Sequence, residues 1–144
     1  MNSESAKSIK VGICGFGTVG GGSYNLLQAN GEEITRRVGC VIDVVRIASR
    51  SITSGDVDST VNISNDPFDV VNDPEVDIVI ETIGGFDPAF EVVRQALANG
   101  KHVVTANKAL VAERGNELFA VAQENAVTLA FESSVAGGIP IIKA

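Results

Sequence analysis

Gly15, Gly17 and Gly20 stand at the spacing G-x-G-x-x-G within Val11-Gly-Ile-Cys-Gly-Phe-Gly-Thr-Val-Gly20. The apolar run Ile9 to Cys14 before them reads as a buried strand. Val19, Leu26 and Leu27 after them suit a helix. This strand–turn–helix context turns a common glycine pattern into a dinucleotide fingerprint. Gly15 permits a tight turn where a Cβ would clash. Gly17 lets backbone approach a pyrophosphate, and Gly20 lets the helix pack on the strand. The helix N-terminus then offers unpaired N–H groups to phosphate. The alternative is a glycine-rich turn without a ligand, and the flanking strand and helix argue against it.

Beyond the first helix, strands and helices alternate. Gly31 to Gly39 reads as a polar helical extension or a loop, its charges a solvated face. Strands are predicted at Val41 to Ala48, Val61 to Ser64, Ile78 to Glu81, His102 to Thr105 and Thr128 to Glu132. A short helix is predicted from Pro67 to Asn72. A second starts with Asp87 as N-cap and Pro88 as first residue and runs to Asn99, where Gly100 stops it. Asn107 to Arg114 and Asn116 to Asn125 read as helical, interrupted at Gly115, with Leu118, Phe119, Val121 and Ala122 on one side. Strands apolar on both faces imply a doubly wound, Rossmann-type α/β fold: a parallel sheet with helices on both sides. Residues 9–144 form its one domain, behind a disordered tail over 1–8. Ligands of such sheets sit beyond the carboxyl ends of the strands. Those ends are the Gly15 turn, Ser49-Arg50, Glu81 to Gly85, Thr105 to Lys108 and Glu132 to Gly138, where polar and glycine residues gather.

The chain of 144 residues carries a formal charge of -7. That charge argues against nucleic acid or an anionic membrane as partner. No run is long enough to span a membrane, and Met1 to Ser8 lacks the apolar stretch of a secretory signal. Two cysteines make no disulfide framework, so a cytoplasmic setting is expected. Cys14 reads as a small buried residue.

Four strand-end residues bear on chemistry. Arg50 closes a second strand with no acid at its tip, and Asp43 lies too early to reach a ribose. In NAD-selective folds an acid about 20 residues past the glycines accepts the ribose 2′-hydroxyl. A guanidinium flanked by Ser49 and Ser51 suits a 2′-phosphate better, which favours NADP, with NAD also usable. The other reading is a surface arginine stacked on adenine, or one doing nothing. Lys108 could be a proton donor, a ribose anchor, a carboxylate clamp or a solvated lysine. Glu81 either lines the cleft or caps a strand, and Glu132 with its glycine loop could hold a hard cation through oxygen. His102, at a strand start, reads as structural.

Together these stretches resemble the N-terminal nucleotide-binding domain of homoserine dehydrogenase. The resemblance rests on the glycine turn, on Arg50 and on Asp77-Ile-Val-Ile-Glu-Thr-Ile-Gly-Gly85. It rests further on Gly100-Lys-His-Val-Val-Thr-Ala-Asn-Lys-Ala-Leu110 and Phe131-Glu-Ser-Ser-Val-Ala-Gly-Gly-Ile-Pro-Ile-Ile142. It implies NAD(P)-dependent interconversion of L-homoserine and L-aspartate 4-semialdehyde, a step toward threonine, methionine and isoleucine. Phe16, Gly17, Thr18 and Val19, between Gly15 and Gly20, match the cofactor loop. Arg50 matches the 2′-phosphate contact, Ile83-Gly84 the loop beside the nicotinamide ribose, and Lys108 an active-site lysine. Glu132, Val135, Gly137 and Ile139 match a monovalent cation site, such as for sodium, the last three through carbonyl oxygens.

The family pattern continues into a substrate and dimerisation domain, so the full-length protein is expected to be a homo-oligomer. The 144 residues are expected to be an isolated or truncated domain that binds dinucleotide without turnover. Two other readings share the fold: another amino-acid or semialdehyde dehydrogenase, and a stand-alone NAD(P)-binding or redox-sensing module. The Thr105 to Lys108 and Glu132 to Gly138 stretches favour homoserine dehydrogenase, since a sensor needs neither.

Overall fold

Six strands run β1 Ser8–Cys14, β2 Val41–Ala48, β3 Asn62–Ser64, β4 Ile78–Glu81, β5 His102–Thr105 and β6 Leu129–Ala130 in the computed structural model, which describes residues 7–131. They form one parallel sheet in the order β3-β2-β1-β4-β5-β6. The helices are α1 Thr18–Ala29, α2 Gly31–Val38, α3 Pro67–Val71, α4 Ala89–Ala98 and α5 Lys108–Glu124. This is the expected Rossmann-type arrangement. The expected tail lies outside the described residues up to residue 6, and Ser8 already belongs to β1. There the Val41 N–H donates to the Lys7 carbonyl at 3.1 Å.

The two-residue period of each strand divides the core in two. Val11 and Ile13 face α1 and α2, packing with Tyr24, Leu27 and Ile34. Cys14, Val79 and Val103 face the side built by α3, α4 and α5. In β2 the pairing steps from Val11↔Val44 to Gly12↔Arg46, leaving Val45 as an extra residue. This bulge resets the alternation, so Val44 and Ile47, three apart, share one face. No helix among the described residues is long and apolar enough to cross a membrane.

Several helix details depart from the sequence patterns. The buried face of α1 is Gly20, Tyr24 and Leu27, while Val19 and Leu26 are exposed. Gly31 to Val38 is a helix, with Glu32 and Glu33 in its first turn and Arg36 and Arg37 in its last, as the helix dipole favours. Asp87 does not cap α4, which has no side-chain cap and begins after Pro88. The backbone does that work: the Phe90 N–H donates to the Phe86 carbonyl at 2.9 Å. Gly115 does not interrupt α5, a continuous helix of 17 residues. It is buried beside the Val111 and Phe119 side chains of its own helix, whose bulk makes up for its missing side chain. Leu118 and Ala122 are buried as expected, whereas Phe119 is exposed and meets Phe131 edge-on.

Candidate functional site

The strand order reverses at β1, which pairs with β2 on one side and β4 on the other. The crevice at such a switch point is where doubly wound sheets bind ligands. Cys14 and Glu81 are paired at the ends of β1 and β4, so the glycine turn and the Thr82 to Gly85 loop leave the sheet side by side. The Gly15 N–H donates to the Ala48 carbonyl at 2.8 Å, tying the turn to β2 as well. Thr82 closes the gap, its backbone N–H donating to the Cys14 carbonyl at 2.9 Å. Its hydroxyl lies 3.1 Å and 3.0 Å from the carbonyls of Cys14 and Gly15.

The three fingerprint glycines are required for different reasons. Gly15 has φ +97, and a Cβ there would meet Thr82 atoms at 2.8–3.0 Å. A Cβ on Gly20 would lie 2.1 Å from the Gly15 carbonyl oxygen and 2.7 Å from Thr82 Oγ1. Both are demanded by the protein's own packing. Gly17 is not: a Cβ there would meet nothing within 4 Å. Gly17 is also the N-cap of α1, with no side-chain cap and no acidic residue in the first turn. The first N–H groups of a helix have no intrahelical acceptor, and no side chain among the described residues caps them. Thr18 and Val19 are exposed around this opening, whereas Phe16 turns inward against Tyr24, ring centroids 5.9 Å apart.

Arg50 is exposed just past β2. Arg36, Arg37, Arg46, Arg94 and Arg114 each pair with a carboxylate, so Arg50 is the one arginine among the described residues without an ion pair. Its neighbours Ser49 and Ser51 place their hydroxyl oxygens 3.4 Å apart. Asp43 lies toward the other end of β2, accepting from the Ser8 hydroxyl at 3.2 Å, away from Arg50.

Between β4 and β5 the site is held by buried polar groups. Glu81 is fully buried and accepts from the Ile83 N–H at 2.7 Å and from the Thr105 hydroxyl at 2.6 Å. Asn107 caps α5 by accepting from the Leu110 N–H at 3.0 Å, and its amide also donates to the Gly85 carbonyl. Lys108 follows as the first residue of α5, exposed at the same edge of the sheet. The roles of Thr82, Thr105 and Asn107 escape a sequence reading, because each depends on partners distant in the chain. Glu132, Val135, Gly137 and Ile139 lie outside the described residues.

The family model described as homoserine dehydrogenase, NAD binding domain, matches residues 15–132. The chain belongs to that family. The homoserine dehydrogenase of Pseudomonas aeruginosa is 56% identical over 138 residues, covering 96% of this chain and 32% of the relative. That of Neisseria gonorrhoeae is 45% identical over 139 residues, covering 96% and 32%. A crystal structure of a homoserine dehydrogenase from Thiobacillus denitrificans is 58% identical with a TM-score of 0.83, covering 96% of this chain and 32% of that one. The chain thus spans about a third of the length of the curated relatives it matches.

In this homoserine dehydrogenase NAD-binding domain, three further ionisable groups serve the fold. Cys14 is fully buried, and burial with the nearby Glu81 and Asp66 carboxylates pushes its thiol pKa up. His102 Nδ1 accepts from the Thr128 N–H at 3.1 Å at the start of β5, away from the ligand edge. Lys101 is buried beside it, its ammonium donating to the carbonyls of Asp73 at 2.6 Å and Val76 at 2.8 Å. Burial lowers the Lys101 pKa, against an upward pull from the Asp73 and Asp77 carboxylates.

Proposed function

We propose that this domain binds NADP and serves the interconversion of L-homoserine and L-aspartate 4-semialdehyde. The observation that carries the reading is Gly17, the N-cap of α1 inside the glycine fingerprint: among the described residues nothing packs against it, which leaves room for a ligand to approach the backbone closely. The backbone of Gly17 to Val19 would receive the pyrophosphate, and Gly15 and Gly20 shape the turn that presents it. Arg50 would pair with the 2′-phosphate, and Ile83-Gly84 would face the nicotinamide ribose. When bound, the dinucleotide supplies or accepts the hydride. Lys108, at the same edge, would hydrogen-bond the substrate oxygen and hold or deliver its proton.

Arg50 decides between the two dinucleotides. In calorimetric titration, Arg50→Ala weakens NADP binding by about 1.5–3 kcal/mol, the scale of a hydrogen bond to a charged group. NAD binding stays nearly constant. An equal loss for both would mean adenine stacking and overturn the NADP assignment.

The donor set of Glu132 with the carbonyls of Val135, Gly137 and Ile139 is all oxygen and carries one negative charge, which fits a hard monovalent cation. Those residues would hold it, and the full-length protein would assemble as a homo-oligomer. A high-resolution map of the full-length protein in sodium or potassium is expected to show the ion on these four ligands. Water alone at that position would remove it.

A further inference from the structure

Glu81 is the one fully buried acidic side chain among the described residues, and it stands between the two halves of the site. One carboxylate oxygen accepts from the Ile83 N–H at 2.7 Å, with the Gly84 N–H at 3.4 Å. Those amides belong to a loop whose next turn uses two left-handed glycines, Gly84 at φ +81 and Gly85 at φ +69. The other oxygen accepts from the Thr105 hydroxyl at 2.6 Å. That hydroxyl has a single proton. Because it is given to Glu81, the oxygen is left to accept from the Asn107 N–H at 3.0 Å. Asn107 in turn caps α5 at Leu110 and reaches back to the Gly85 carbonyl. The ring closes on itself: Glu81, loop, Asn107, Thr105, Glu81.

Stability alone does not call for a charge here, since desolvating a carboxylate is costly and an apolar side chain would fill the space without that penalty. An acceptor on both ends is what this ring requires. We propose that Glu81 is a positioning residue that holds the Ile83-Gly84 loop and the head of α5, with Lys108 on it, in one fixed relation. The proposal rests on the assignment of that loop to the cofactor and of Lys108 to the reaction. Glutamine is nearly the same size but carries an NH₂ at one end. Turned toward Ile83 it opposes an N–H; turned toward Thr105 it leaves the hydroxyl proton without an acceptor.

The test is Glu81→Gln, Thr105→Val and Lys108→Ala in the full-length enzyme, alone and combined, with steady-state kinetics and melting curves. Glu81→Gln is expected to lower kcat about tenfold to 10²-fold, the scale of a small misplacement of reacting groups. It raises the dinucleotide KM about fivefold, as for one lost hydrogen bond. Thr105→Val lowers kcat and leaves the dinucleotide KM nearly unchanged, because Ile83 stays held. In the Lys108→Ala background the kcat loss from Glu81→Gln shrinks below about threefold, since coupled residues are not additive. A folded Glu81→Gln enzyme with normal kcat and KM, or full additivity with Lys108→Ala, would overturn the proposal. Should Glu81→Gln not fold, an unchanged kcat in Thr105→Val overturns it. Normal turnover in Lys108→Ala alone would instead overturn the role of Lys108, leaving the Glu81 grip on the loop to stand or fall on the dinucleotide KM.

Discussion

Lys108→Ala in the full-length enzyme is expected to lower kcat/KM at least about 10²-fold while leaving the melting temperature unchanged or slightly raised. Exchange between an alcohol and an aldehyde moves a proton on the same oxygen whose carbon gains or loses hydride. A positioned acid or base on that oxygen contributes about 10²–10⁴-fold. In the proposed role Lys108 would be placed by β5, which ends at the same edge of the sheet as the glycine turn, and by Asn107, which caps the helix Lys108 begins. Among the described residues it makes no hydrogen bond or ion pair through its side chain. It is exposed, and a cation in the first turn of a helix opposes the helix dipole, a cost of about 0.3–1 kcal/mol. Removing it therefore does not weaken α5. Near-normal turnover with unchanged stability would return Lys108 to an ordinary surface lysine.

Three glycine-to-alanine changes on one turn and helix are expected to give three different results. Gly20→Ala forces a Cβ to within 2.1 Å of a backbone carbonyl, which no side-chain rotation relieves. Overpacking of this kind costs about 1–3 kcal/mol or more, beyond the propensity alanine adds. The variant is expected to unfold at clearly lower denaturant concentration and to bind dinucleotide weakly. Gly22→Ala meets nothing within 4 Å and sits inside α1, so it stabilises by about 0.5–1 kcal/mol. Gly17→Ala also meets nothing among the described residues, and its cost is confined to alanine being a poorer N-cap than glycine, about 1 kcal/mol, so the fold is kept. Its binding is not: the methyl occupies the space the pyrophosphate needs, and NADP affinity falls about tenfold or more, or about 1.4 kcal/mol. Undiminished NADP binding in Gly17→Ala would remove the dinucleotide from this turn.

What the chain declares by itself is whatever depends on neighbours in sequence. Apolar runs between breakers mark β2 and β5 to the residue, and strand–helix alternation gives the parallel sheet. The glycine spacing, Arg50 at the tip of β2 and Lys108 after β5 are equally local, so the ligand edge of the sheet is legible without coordinates. The tertiary structure decided what depends on distant partners. Tyr24, not Leu26, faces the core because α1 is rotated by its close approach to the turn at Gly20. Gly115 stays helical because buried packing overrides a propensity cost of about 1 kcal/mol. That Arg50 lacks an ion pair while every other arginine has its carboxylate is visible only in the folded chain. In sequence Glu81 reads either as lining the cleft or as capping a strand, with nothing to choose between them. Its partner Thr105 lies 24 residues on, and the Thr82 hydroxyl beside it reaches back 68 residues to Cys14. Only the parallel pairing of β1, β4 and β5 brings those groups within hydrogen-bond distance, and no local pattern of residues encodes that pairing.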